Sequence, residues 1–234
     1  MTPEERTAEL AANLADVRAR IAAACAAAGR SPDDLTLVAV TKTFPASDVR
    51  LLAGLGITDV AENRDQEARP KAEETADLAL TRHFVGQLQT NKARSVAGYA
   101  DVVQSVDRVR LVRALSDAAA RTGRPLRCLV QVSLDEETGR GGAAPDDVPE
   151  IAAEIAAAGD LDLAGVMAVA PLGGDARTAF ARLAGIAARL RADHPAATVV
   201  SAGMSGDLEV AIECGATHLR IGTALLGGRR AIVR

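Results

Sequence analysis

Lys42 closes the run Leu35-Thr36-Leu37-Val38-Ala39-Val40-Thr41-Lys42, which reads as a buried strand of mostly apolar, β-prone residues. The chain carries 27 Lys+Arg, and only Lys42, Lys71 and Lys92 are lysines. Arginine supplies the ordinary positive charge. A guanidinium stays protonated and cannot act as an amine nucleophile. A desolvated lysine can lose its proton and form an imine with an aldehyde. An amine at a strand end either reaches water along its stem or is held for such chemistry.

A second group of residues points to anion binding. Gly203-Met204-Ser205-Gly206 and Gly222-Thr223 each offer backbone N–H groups and a hydroxyl beside a turn, the first just before a helical pattern. The glycines alone would equally serve tight turns. Arg220 precedes the second group and suits either a rim salt bridge or a ligand contact. The remaining candidates read as structural. His83, His194 and His218 are scattered without metal-ligand spacing, so no metal site is expected. His83 falls within a strand and reads as a packed, hydrogen-bonded side chain rather than a base. Asp135-Glu136-Glu137 reads as a solvated loop. Lys71 and Lys92 read as exposed helix residues, with a secondary ligand or partner contact left open for Lys92. Gly203-x-Ser205 is no nucleophile elbow, because Asp207 stands where that motif needs glycine.

The elements that must position these groups alternate. Strand-like runs fall at 35–42, 57–61, 81–86, 101–106, 126–134, 161–169, 198–203 and 217–222. Helical patterns lie at 46–53, 64–78, 90–97, 108–121, 147–158, 175–191 and 206–213, several with a glycine placed to supply a left-handed cap. An additional helix is expected over 2–28, opened by a Thr2-x-x-Glu5 capping box with Pro3 at its first position and ended by Gly29. Eight βα units predict an α/β protein, a single (β/α)8 TIM barrel with an extra N-terminal helix, spanning 1–234 as one domain. An open doubly wound sheet is the alternative, but no G-x-G-x-x-G follows a strand. In a barrel the strand ends share one face and strand 8 closes against strand 1. That would place Lys42 beside the glycine loops after strands 7 and 8. A small molecule bearing both an aldehyde and a phosphate is pyridoxal 5′-phosphate (PLP), with Lys42 as its imine and Arg220 beside its ring.

Composition bounds the remaining possibilities. The net charge of −4 gives no footprint for nucleic acid. No apolar run reaches the roughly 20 residues of a membrane helix. The first residues lack a signal-peptide pattern, and the three cysteines Cys25, Cys128 and Cys214 are far apart. A cytoplasmic location with free thiols is expected.

The pieces Val38-Ala-Val-Thr-Lys42, Glu62-Asn63, His83-Phe-Val-Gly86-x-Leu88-Gln89-x-Asn91-Lys92, Gly203-Met204-Ser205 with Asp207, and Arg220-Ile-Gly-Thr223 occur in one order and spacing. Together they resemble the pyridoxal phosphate homeostasis protein family, single-domain relatives of the alanine racemase barrel. The resemblance spans about residue 5 to residue 229. It implies a fold type III PLP barrel without the C-terminal β-domain, with Lys42 carrying PLP. Ser205, Gly222 and Thr223 would hold the phosphate, Arg220 would face the pyridine nitrogen, and Asn63 and Met204 would line the pocket. An arginine at that nitrogen keeps it unprotonated and weakens the ring as an electron sink. The departures are Ala61 before Glu62, where the family usually has glycine, Arg82 before His83, where tryptophan is common, and Arg140, where a lysine often stands.

These readings converge on a protein that binds PLP and buffers or carries it within the cell, without robust catalysis and with no residue assigned as catalytic. PLP-dependent apoenzymes are its expected partners, and a monomer its expected state. The alternative is a PLP-dependent amino-acid racemase or decarboxylase. Racemisation needs acid/base groups on two faces of the cofactor, and Tyr99, on the segment entering strand 4, is the chain's single tyrosine. A phosphate-binding barrel enzyme without PLP is a third possibility.

Overall fold

The structure is a computed structural model that describes residues 2–134 and 141–228. Eight parallel strands close into a barrel in chain order. They are β1 (Thr36–Val40), β2 (Asp59–Glu62), β3 (Thr81–Phe84), β4 (Val102–Val106), β5 (Leu126–Gln131), β6 (Leu161–Met167), β7 (Val199–Ser201) and β8 (His218–Ile221). Each expected strand is present, most of them trimmed at one or both ends, while β2 runs one residue further than expected, to Glu62. The helices are α1 (Pro3–Ala27), α2 (Ala46–Gly54), α3 (Asp65–Glu74), α4 (Ala93–Ala97), α5 (Val109–Thr122), α6 (Val148–Ala157), α7 (Ala176–Asp193), α8 (Leu208–Glu213) and α9 (Thr223–Leu226). The helix expected at 90–97 is split into a 3-10 turn, Thr90–Lys92, followed by α4. The four-residue α9 was not expected, being too short to show a helical period.

The seam closes as the register requires. Val38 of β1 pairs with Asp59 of β2 and with Arg220 of β8. Apolar side chains on the outer face of the strands, among them Ala39, Val60, Phe84, Cys128 and Leu219, pack with the helices in one continuous core. A second, smaller cluster of Val102, Leu129, Ala164, Met167 and Val199 is separate from it. Part of the barrel interior is polar instead: His83, Gln104, Ser201 and Arg220 are all buried.

The capping box forms as expected: Thr2 accepts from the Glu5 amide at 3.2 Å and donates its own amide to Glu5 at 2.8 Å. Leu10, Leu14, Val17 and Ile21 of α1 are buried. The polar side chains of α1 reach the last βα units. Asn13 donates to the Leu225 carbonyl, Arg6 to that of Leu226, and Arg20 to that of Ser205. The bonds to Leu225 and Leu226 satisfy carbonyls that α9 cannot satisfy within itself.

The glycine caps need correction. Gly29, Gly123 and Gly215 take positive φ, but Gly54 is the last helical residue of α2 and Gly56 takes that conformation instead. Gly98 and Gly159 do not adopt it. Lys71 is not exposed, as detailed below. Residues 135–140, which include the acidic run and Arg140, lie outside the described residues.

Among the described residues no helix is long and apolar enough to cross a membrane, and no group of three His, Cys, Asp or Glu is placed to hold a metal. The three cysteines are free thiols.

Candidate cofactor site

Lys42 lies just beyond β1 and is half-buried. By the two-residue strand period it shares a face with Val38 and Val40, while Thr41 takes the opposite face. Thr41 is buried and donates its hydroxyl to Glu62 at 2.6 Å. The chain then turns sharply. Thr43 has φ 69, a positive φ found at no other non-glycine among the described residues. A β-branched residue there is strained. Its amide donates to Glu67 at 3.2 Å. Lys42 thus sits between an anchored neighbour and a strained one. No ion pair ties it to another described residue.

Across the seam, Arg220 projects from β8 into the barrel and is 4% exposed. Among the described residues it forms no rim salt bridge. Its Nη1 donates to Ser201 Oγ at 2.6 Å and its Nη2 to the Ala168 carbonyl at 2.7 Å. No carboxylate partner is present among the described residues. Burial pushes this guanidinium down to about 10, opposed by the negative charge of Asp207. It remains a cation at neutral pH.

The loops after β7 and β8 meet. The Ala224 amide donates to Ser205 Oγ at 3.1 Å. Gly222 caps α9 without a side-chain hydrogen bond, and the Thr223 amide at the first helical position has no intrahelical acceptor. A Cβ on Gly222 would lie 3.5 Å from Val40, so this turn rests against β1. The loop after β7 offers less than its sequence promised. The Met204 amide is spent on Asp207 Oδ1 at 2.6 Å. Gly203, at φ 89, serves packing, since a Cβ there would meet the Ala211 side chain at 2.6 Å. Met204 itself is exposed at the barrel mouth. Asn63 follows β2 and is half-buried. A Cβ on Gly86 would lie 2.0 Å from the Asn63 carbonyl oxygen, so only glycine lets the β3 loop pass there.

Sequence reasoning missed the residues behind Arg220. Ser201 donates to Gln104 Oε1 at 2.7 Å, Gln104 Nε2 meets His83 Nδ1 at 2.8 Å, and His83 Nε2 meets Asp59 Oδ1 at 2.9 Å. The available signal was Gln104-Ser105 inside the otherwise all-valine strand Val102–Val106. His83 is packed and bonded at both nitrogens, as expected of it. Burial raises the Asp59 carboxyl, but hydrogen bonds from His83 and Thr58 outweigh it and leave the group below its ordinary value. His218 stands beside His83, ring centroids 6.4 Å apart, and burial, reinforced by His83, pushes it down to about 4.

Lys71 corrects an expectation. Its side chain is 11% exposed and is ion-paired with Glu62 while donating to the Thr41 carbonyl. Burial pushes Glu62 up, against the pull of Lys71 and Thr41. Lys92 is partly exposed and lies 3.7 Å from Asp65. Tyr99 packs against the outer core, and burial pushes its phenol upward.

The fold and the placement of these groups define a barrel of one class: the sequence model of the alanine racemase N-terminal domain matches residues 8–230. A protein of Mycobacterium leprae named pyridoxal phosphate homeostasis protein is 42% identical, the match covering 97% of this chain and 95% of that protein. The chain belongs to this family of pyridoxal phosphate homeostasis proteins. Among solved structures, an unknown protein from Bifidobacterium adolescentis superimposes with a TM-score of 0.89 at 28% identity, covering 96% of this chain and 97% of the other. PipY of Synechococcus elongatus PCC7942, solved with PLP bound, gives a TM-score of 0.80 at 33% identity, covering 93% and 100%.

Proposed function

We propose that this protein holds pyridoxal 5′-phosphate at the mouth of the barrel and serves as an intracellular carrier or buffer of it. Lys42 forms the imine with the aldehyde. Ser205, Gly222 and Thr223 receive the phosphate, Arg220 faces the ring nitrogen, and Asn63 and Met204 flank the pocket. The observation that carries the reading is Arg220: a buried cation with no carboxylate partner among the described residues, on the strand paired with the one that leads to Lys42. Such a group favours an electron-rich atom in front of it. The joined Ser205 and Ala224 loops, with a Thr223 amide that has no intrahelical acceptor and a Lys42 without an ion pair among the described residues, fit the same ligand.

When bound, PLP supplies an electrophilic aldehyde and an electron-withdrawing ring. The chain's own residues then divide the work. Lys42 and the phosphate loops hold two ends of the ligand. Arg220 donates toward the ring nitrogen and keeps a proton off it, which damps carbanion chemistry. Recipients of the cofactor are PLP-dependent apoenzymes, and the working unit is a monomer in the cytoplasm.

The test is the visible spectrum of the purified protein incubated with PLP. A yellow band that borohydride removes, with the reduced label mapped to Lys42 and lost in Lys42→Ala, is the expected result. Ser205→Ala and Thr223→Val should each raise the PLP dissociation constant about tenfold. A colourless protein, or a label on another lysine, refutes the assignment. Rapid exchange of amino-acid α-hydrogens in deuterated water would favour the racemase alternative over the carrier.

A further inference from the structure

Arg220 is the first member of a hydrogen-bonded row that crosses the barrel interior. Its order is Arg220 Nη1, Ser201 Oγ, Gln104, His83 and Asp59, at 2.6, 2.7, 2.8 and 2.9 Å in turn. Asp59 Oδ2 accepts a further bond from Thr58 at 2.7 Å. Five strands supply the row: β8, β7, β4, β3 and β2.

The donor inventory leaves this row one direction. A guanidinium only donates, so Ser201 Oγ accepts from Arg220 and has one proton to pass on. That proton goes to Gln104, whose oxygen must then face Ser201 and whose NH2 must face His83. An NH2 group cannot accept, so His83 Nδ1 must accept and Nε2 carries the ring proton toward Asp59. Each dipole points the same way, from a buried cation on β8 to a carboxylate on β2, the strand on the other side of β1.

We propose that Ser201, Gln104, His83 and Asp59 are positioning residues for Arg220. They fix its guanidinium in the barrel and tie its charge to the tautomer of His83. This role rests on the PLP reading, because it assigns the row to the residue that faces the ring nitrogen. The arrangement supports a buried cation with dipoles rather than with an adjacent anion. The cation is stabilised, yet its charge is not cancelled at contact, so the face of Arg220 turned to the ligand keeps its full donor strength. Aligned hydrogen bonds of this kind strengthen one another at low local dielectric.

The experiment separates the row from the cofactor. In the ligand-free protein, histidine ring nitrogens are observed by 15N NMR, with His83 assigned by its loss in His83→Gln. The wild-type ring should show the Nε2–H tautomer. Gln104→Glu places an acceptor where the NH2 stood, and should move the His83 proton onto Nδ1 or protonate both nitrogens. Ser201→Ala should leave a mixed or altered signal, and Ser201→Thr, which keeps the hydroxyl, should restore it. In the loaded protein Ser201→Ala and Gln104→Glu should shift the cofactor's visible band or its titration midpoint and change PLP affinity about tenfold, with Ser201→Thr near wild type. A purely structural row would lower the melting temperature without moving the band. An Nδ1–H tautomer in the wild type, or a signal indifferent to both Gln104→Glu and Ser201→Ala, overturns the proposal while leaving cofactor binding intact. The expected tautomer in a protein that takes up no PLP overturns the function, and with it the role given to the row, but on a different observation.

Discussion

Two buried cations stand on opposite sides of the same barrel wall. Lys71 lies outside, between α3 and the sheet, and is paired with Glu62, whose side chain is 10% exposed. Arg220 lies inside and is held by a hydroxyl and a carbonyl. Each was removed from water at a cost of several kcal/mol. Lys71 recovers that through an adjacent carboxylate, and its site is thereby closed to other ligands. Arg220 recovers it through neutral groups and stays electrostatically open on its remaining side. The pair shows how one cation becomes a structural strut and the other a binding group: what differs is whether a carboxylate touches it.

The comparison can be broken most strongly at Lys71. Lys71→Met leaves Glu62 buried without its partner and should cost about 3–5 kcal/mol at pH 7 in urea denaturation. The loss should shrink as the pH is lowered, because Glu62, raised by burial, takes up a proton more readily than an ordinary carboxylate. Lys71→Met with Glu62→Leu should recover most of it. Arg220→Met should instead cost less than about 2 kcal/mol, since among the described residues no carboxylate in contact with it is left behind. Its main effect should fall on PLP affinity and spectrum. Equal stability losses for the two variants would remove the distinction.

A middle-sized effect comes from His218, at the N-terminal end of the strand that carries Arg220. Unfolded, it binds a proton below about pH 6.5, and folded only below about 4. Between those values the unfolded chain binds more protons, so stability should fall as pH drops through this window, by up to about 3 kcal/mol. The facing groups are His83, Asp59 and Arg127. Asp59, lowered in the fold, adds its own loss only at more acidic pH. His218→Gln should flatten the 6.5-to-4 segment of the stability curve; an unchanged slope would assign it elsewhere. The smallest effect is expected at Thr43→Gly. Relief of the positive φ beside Lys42 should raise stability by up to about 1 kcal/mol, set against the greater unfolded-state freedom of glycine. If the strain serves to aim Lys42, PLP affinity should fall even as the melting temperature rises.

Much of this was legible in the amino-acid order. Alternating periods of two and 3.6 residues located all eight strands, and Lys42 stood out because lysine is scarce. Closure of the barrel followed from the number of βα units. What was not legible depended on which distant side chains face each other. Gln104 is one polar residue in a valine strand, and Asp59 falls inside the expected strand 57–61, with nothing in the local pattern to mark a distant partner for either. Their roles appear only when barrel register brings β2, β3, β4, β7 and β8 around one interior. Lys71 was misplaced for a related reason. Its helix has few apolar residues, so the pattern hid the face turned toward Glu62. The amide of Met204 was miscounted because an aspartate three residues later claims it, a local competition that glycine spacing does not reveal.

The attachment of α1 to the end of the barrel has a consequence for biogenesis. Its Arg6 and Asn13 bond to carbonyls 220 and 212 residues further along. On the ribosome this helix emerges well before the surface that covers Leu10, Leu14, Val17 and Ile21, which is not complete until α8 and α9 follow. Contacts of such long sequence separation slow folding and leave apolar surface exposed during synthesis. Until α8 and α9 are in place and the ring shuts, α1 therefore lacks the surface that buries its apolar face.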